Sequence, residues 1–381
     1  MKDFIITSLQ PWDSTFGGNA KDIAYELSRK HRVLYVNRFS GKKEKKSRFR
    51  SIRKNLWVLD YQFSPLPVNF LPDNFLFDTL NRYNNYHIFK AVRWCACQLQ
   101  FHDIIHFCDN DIYRSFYARE FLQARLHIYY RRDNLHPISY WQRHISRLEP
   151  ALIRKSDLVM CNSAELAEYA RPYLSPERIY DIGQGVDLSA YRADTVHPVP
   201  EECHNLPRPI IGYTGALVST RLDIELLYAL ASGLPQYTFL FVGKRDNVFE
   251  NHLLCTLPNV VFTGLKPMKM MPAYIQSMDV CLNPQLINKV TIGNYPRKVD
   301  EYLAMGKPVV ATRTRTMNIF RDYVYLCTGV DEYKDAINRA LRGNPDLEKE
   351  RIAFAHTHSW ENCIEKIYQA IEKYENTKSI R

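Results

Sequence analysis

The chain has 381 residues, 46% of them hydrophobic, with a formal charge of +10 and nine cysteines. That length suits two domains, each able to bury its own core, and the apolar content excludes a disordered chain. No run approaches the roughly 20 apolar residues of a membrane-spanning helix, and the opening MKDFIITSLQ lacks a signal-peptide core. The odd, unpaired cysteine count argues for reduced thiols and a cytoplasmic protein.

In chain order, Phe4–Ser8 reads as a strand, a loop follows to Gly18, and Ala20, Ile23, Ala24 and Leu27 mark a helix face. Val33–Val36 then reads as a second strand, giving a βαβ unit. Gly17 and Gly18 precede the helix, where missing Cβ atoms allow backbone to approach a ligand closely. The pattern is not GxGxxG and no suitably placed acid follows, which argues against a nicotinamide site.

Between Gly41 and Asn55 stand eight basic residues and one acid, Glu44. Lys42, Lys43, Lys45, Lys46, Arg48 and Arg50 lead this cluster. It runs into Leu56–Phe77, rich in Trp57, Tyr61, Phe63, Phe70, Phe75 and Phe77 and broken by prolines. A basic cluster beside exposed aromatics fits an anionic membrane surface, and a solvated loop is the plainer reading. Nucleic acid is not expected, because no recognition motif accompanies the charges.

Further strands are expected at Asp103–Phe107, Leu126–Tyr130 and Leu158–Cys161, the last leading to Ser163 as a helix cap. A proline-bearing stretch, 191–208, reads as a linker. Beyond it the alternation restarts. Strands are expected at Ile210–Tyr213, Phe239–Val242, Val260–Thr263 and Asp279–Asn283, each ending in a turn or loop, with helices between. That is a doubly wound parallel sheet, which takes ligands at its carboxyl edge.

The strongest segment is Tyr295–Thr312, YPRKVDEYLAMGKPVVAT. Pro296 suits the first helical position; Val299, Tyr302 and Leu303 form one apolar face; Gly306 ends the helix and a buried strand follows. The helix start is an anion site, with Arg297 and Lys298 adding positive charge.

Pro296, Lys298, Glu301, Tyr302, Leu303, Ala304, Gly306, Lys307, Pro308, Val309 and Val310 match a known signature. The segment resembles that of the retaining nucleotide-sugar glycosyltransferases of the GT-B fold, family 4 (group 1-like). The resemblance implies two Rossmann-like doubly wound α/β domains facing a central cleft. The expected bounds are an acceptor-binding domain at 1–190, the linker at 191–208, a nucleotide-sugar-binding domain at 209–358, and a C-terminal helix, 359–381, crossing back to the first domain.

It further implies transfer of a sugar from an NDP-sugar to a glycan or polyprenyl-phosphate-linked acceptor, with retention, in cell-surface polysaccharide synthesis at the inner face of the cell membrane. Gly17, Gly18, Gly215, Lys244, Arg297, Lys298 and Glu301 would hold the donor, with Glu301 accepting from the ribose hydroxyls. Asp109, Lys298 and Arg221 would serve the reaction. His106, Asp133 and Asn294 would touch the acceptor or sugar. No metal or other cofactor is expected, since this fold lacks the Asp-x-Asp site of the other large glycosyltransferase fold. Two departures stand out: Gly293 replaces the family's usual sugar-contacting glutamate, and Cys108 replaces its second histidine. They leave a catalytically inactive nucleotide- or glycan-binding module as the alternative, together with a GT-B nucleotide-sugar epimerase.

Overall fold

The computed structural model describes residues 1–14, 18–39 and 47–379. Gly17 and the lysines Lys42, Lys43, Lys45 and Lys46 lie outside the described residues. The chain forms two compact units, one made of residues 1–185 and 360–381, the other of residues 186–359.

The first unit is built on eight strands: β1 (Asp3–Ser8), β2 (Arg32–Val36), β3 (Arg48–Arg53), β4 (Leu56–Asp60), β5 (Ile104–Asp109), β6 (Leu126–Arg131), β7 (Leu158–Cys161) and β8 (Ile179–Asp181). Their spatial order is β3-β4-β2-β1-β5-β6-β7-β8. All pairs are parallel except β3 with β4. Every residue of β1 is buried, as expected of a parallel strand covered on both faces. One face packs against helix Asn19–Leu27 and the C-terminal helix Trp360–Ser379, through Ala20, Ile23, Leu27, Ile364 and Ile367. The other packs against Ile88, Phe89 and Val92 of helix Phe75–Gln98.

The hairpin β3–β4 differs from the expectation of a basic loop beside exposed aromatics. Leu56, Val58 and Leu59 are core residues, as are Tyr61 and Phe77. Arg50 is not free for a lipid: it pairs with Asp13 at 2.6 Å and Asp60 at 2.9 Å. Charge on an edge strand blocks further pairing, and here it masked the strand in the sequence. Arg48 opens β3 and is exposed.

The second unit carries six parallel strands: β9 (Ile210–Thr214), β10 (Thr238–Val242), β11 (Val260–Gly264), β12 (Val280–Asn283), β13 (Val309–Thr312) and β14 (Tyr325–Cys327). Their order is β11-β10-β9-β12-β13-β14. The chain winds outward from β9 through β10 and β11, then crosses to β12 on the other side. The crevice at the carboxyl ends of β9 and β12 is therefore the topological switch point, the place such sheets bind ligands. Residues 191–208 are part of this unit, not a bare linker: Tyr191 and Cys203 are buried in its core.

Candidate active site

The switch point of the second unit opens into a cleft of about 360 Å³. Its floor is the end of β9. Gly215 follows with φ +129°, and its N–H donates to Val242 O at 2.8 Å. Gly243 lies so close that a Cβ on it would sit 1.9 Å from Gly215 O. Only glycine lets these two strand ends interlock.

One wall is helix Arg297–Ala304, which starts one residue later than expected, with Pro296 in the cap position. Val299, Tyr302 and Leu303 are fully buried, contributing roughly 1.5–3 kcal/mol per large apolar side chain. Tyr302 also ties helix to sheet: its hydroxyl accepts from Thr214 N–H at 2.8 Å. At the far end, Gly306 has φ +71°. Its N–H donates to Leu303 O at 2.9 Å, and Lys307 N–H donates to Tyr302 O at 3.0 Å. That pair of bonds is a Schellman motif.

The first turn of this helix opens onto the cleft through Arg297 and Lys298, and Arg221 lines the same cleft. Against these three cations the lining holds one carboxylate, Glu301. Helix dipole and cations together make an anion site. Lys298 is held in place, its Nζ donating to Tyr213 Oη at 2.9 Å while lying 4.6 Å from the centre of that ring. Burial pushes the Glu301 carboxyl above its usual range, and Arg297 and Lys298 draw it back. Tyr191 donates a hydrogen bond to it.

Asn294 lines the cleft too, with its Nδ2 donating to Val290 O at 3.2 Å. The loop leading to it folds around buried Thr291: Gln285 Nε2 donates to Thr291 O at 2.8 Å, and Asn288 Oδ1 accepts from Val290 N–H at 2.8 Å. Gly293 takes φ +80° within this loop, so the position replacing the family's glutamate serves a left-handed turn. Lys244 does not join the site. Its side chain is exposed and outside the lining, while its carbonyl accepts from Leu217 N–H at 2.8 Å.

The remaining expected residues lie in the first unit, around its own switch point between β1 and β5. Asp109 is fully buried, accepting from Ser8 Oγ at 2.6 Å and Arg132 Nε at 2.6 Å. Burial raises its pKa, while Arg132 and Ser8 oppose that. Asp133 is held by the same Arg132. A Cβ on Gly18 would fall 1.4 Å from Gln10 Oε1, the free end of a side chain that can turn aside. Gln184 ties this end of the sheet together: its Oε1 accepts from Asn19 Nδ2 and Asn162 Nδ2, each at 2.8 Å.

His106 is a core residue, which corrects its expected role as a sugar contact. It is 2% exposed, with Nε2 3.0 Å from Thr7 Oγ1 and Nδ1 3.3 Å from His127 Nδ1. Desolvation pushes both imidazoles down, His127 to about 4, so the pair is neutral at physiological pH. Neighbouring Cys108 is buried, its thiol pushed up to about 12.

Two residues of the second-unit site went unrecognised in the sequence. From sequence Tyr213 is only the end of a strand, yet it positions Lys298. Asn283 ends β12, lines the cleft, and keeps its buried Nδ2 without a hydrogen-bond partner. A polar residue closing a strand at a switch point was the available signal for each.

Residues 208–343 match the family described as glycosyl transferases group 1. With that match, the two parallel-sheet units place the chain in the GT-B architecture, as the solved structures bear out. Trehalose 6-phosphate synthase from Burkholderia multivorans superposes with a TM-score of 0.75 at 9% identity, covering 100% of both chains. Sucrose-phosphate synthase from Thermosynechococcus elongatus gives 0.70 at 17%, covering 99% of this chain and 100% of the other. A trehalose-6-phosphate structure from E. coli, bound with UDP-2-fluoro glucose, gives 0.66 at 13%, covering 99% and 98%.

In sequence, the chain is similar to TuaH of Bacillus subtilis (strain 168), named as a teichuronic acid biosynthesis glycosyltransferase. They share 28% identity over 256 residues, 64% of this chain. The match spans 62% of the length of that relative.

Proposed function

We propose that the chain is a glycosyltransferase that takes a sugar from an NDP-sugar bound in the second-unit cleft and passes it to a glycan acceptor. The observation that carries this reading is the convergence of the helix start, Arg221, Arg297 and Lys298 beside Glu301 at the switch point of β9 and β12. The cations and helix dipole suit a diphosphate, whose departure as a leaving group needs fixed positive charge. Glu301 offers a carboxylate acceptor for ribose hydroxyls. Asn283 adds an unused donor for the sugar or base. The group 1 match covers the segment holding these residues, and a GT-B neighbour holds a UDP-sugar analogue.

The acceptor reading is a growing cell-surface polysaccharide or polyprenyl-phosphate-linked glycan, supported by the likeness to a teichuronic acid enzyme. Retention of anomeric configuration, with the donor phosphate assisting deprotonation of the acceptor, and a place on the inner face of the cell membrane complete the proposal. The binding-only alternative rests on Gly293 and Cys108; release of free nucleotide from an NDP-sugar excludes it. The test is a thermal-shift screen with UDP, GDP, ADP, CMP, dTDP and their sugar conjugates. One nucleotide series raises the melting temperature, and Glu301→Ala or Lys298→Ala removes the shift.

A further inference from the structure

Helix Phe75–Gln98 buries one side in the first unit and leaves the other to solvent. The exposed positions are 75, 76, 79, 82, 83, 86, 90, 93, 94, 97 and 98. At 100° per residue they occupy a single arc of about 160°. Large apolar and aromatic side chains crowd that arc: Phe75 is 78% exposed, Tyr83 46%, Leu76 44%, and Tyr86 and Trp94 42% each. Phe70, 59% exposed, and Leu66 add exposed apolar surface in the preceding segment. Solvated helix faces do not ordinarily carry such a stripe.

The charges on the stripe are all of one sign. Arg82, Lys90 and Arg93 lie on it, and the helix's only acid, Asp78, lies off it, bonded to Arg147 at 2.9 Å. Arg82 sits over the Tyr117 and Phe121 rings, and Arg93 donates to the Phe121 carbonyl. Those contacts fix the guanidinium groups without cancelling their charge. A two-fold contact with a second copy would set this positive stripe against itself. Apolar and interfacial aromatic side chains with cations between them complement a layer that is greasy below and anionic above.

We propose that this face of helix Phe75–Gln98 docks the protein on an anionic phospholipid surface, the helix lying in the interface. The proposal rests on the transferase reading only for its purpose, which is to bring the protein to a lipid-linked acceptor. It names residues distinct from the Lys42–Lys46 cluster. Among the described residues no helix is long and apolar enough to cross a membrane, so the mode is interfacial. Phe75 and Leu76 enter the acyl boundary, and Lys90 meets headgroup phosphate.

The experiment is flotation of the full chain with vesicles of phosphatidylcholine alone or mixed with phosphatidylglycerol. Wild type floats with the mixed vesicles and weakly with phosphatidylcholine. The variant Phe75→Ser/Leu76→Gln/Lys90→Glu loses about tenfold or more in vesicle affinity, with unchanged melting temperature and unchanged nucleotide shift. The proposal is overturned if wild type ignores the mixed vesicles, or if the variant floats as wild type does. Reversing Lys42, Lys43, Lys45 and Lys46 and thereby abolishing flotation alone also overturns it. So does a wild-type dimer that the variant dissociates, or capture of a single-stranded oligonucleotide in place of vesicles. A missing nucleotide shift in wild type contradicts the donor reading and leaves this one standing.

Discussion

Glu301 is half-buried between Tyr191 and the cations of its own helix, and burial lifts its pKa above the ordinary value. Only the ionised carboxylate offers all its lone pairs to ribose hydroxyls, so nucleotide affinity is full above the raised pKa and falls as pH drops through it. The loss therefore begins above the ordinary glutamate value of about 4.3. Titrating nucleotide affinity from pH 8 downward checks this; Glu301→Gln gives a flatter, weaker profile. Affinity for the wild type that holds steady down to about pH 4.5 removes Glu301 from the ribose. At this scale much of the cleft was legible. Arg297, Lys298 and Glu301 are fixed by spacing along one short helix, so their numbers alone bring them together. Tyr213 and Asn283 were not, because their roles depend on which strands become neighbours. Lys244 illustrates the converse: it follows a strand end at the carboxyl edge, but its exposed side chain is not part of the cleft lining.

Elements were legible where an apolar run or a cap spoke for them. Helix Arg297–Ala304 was visible from its face spacing and from Gly306, and its Schellman end gives that glycine a measurable weight. Gly306→Ala places a Cβ at φ +71°, with the nearest atom, Glu348 Cγ, 2.8 Å away. The left-handed conformation costs a non-glycine residue about 1–2 kcal/mol. The second unit's stability should therefore fall by that amount, its unfolding midpoint moving to lower urea with its slope unchanged. A shift near zero means that the helix end rearranges freely. Hairpin β3–β4 was illegible for a physical reason: Arg48, Arg50 and Arg53 alternate with Phe49 and Ile52, so the basic edge outweighs the apolar signal. Strand β14, three residues long, carries too little pattern to be read alone.

At the scale of the whole molecule, the first unit is closed by the last helix of the chain. Trp360, Cys363, Ile364, Ile367, Ala370 and Ile371 are each 6% exposed or less, packed against Ala20, Ile23 and Leu27. Trp360 also sits where a Cβ on Gly185 would fall, 2.2 Å from its ring. Removing residues 360–381 exposes the complementary face. At roughly 1.5–3 kcal/mol for each large apolar side chain, the sum rivals the 5–15 kcal/mol total stability typical of a domain. Calorimetry of the truncated chain should show the first unit's transition lost and the second's retained; two intact transitions contradict this account of the helix. The parallel winding of both sheets was legible from the alternation of apolar strands and helix faces. The packing of residues 191–208 into the second unit was not, because prolines there read as a linker while Tyr191 and Cys203 supply the anchors.

The most direct test of the central claim is the melting temperature of the full chain with each nucleoside diphosphate and its sugar conjugates, measured beside Glu301→Gln. The account predicts that one nucleotide series raises the second unit's transition and that the substitution sharply reduces the rise without lowering the unliganded melting temperature. No rise with any nucleotide, or a rise that Glu301→Gln leaves intact, contradicts a donor site at the switch point of β9 and β12.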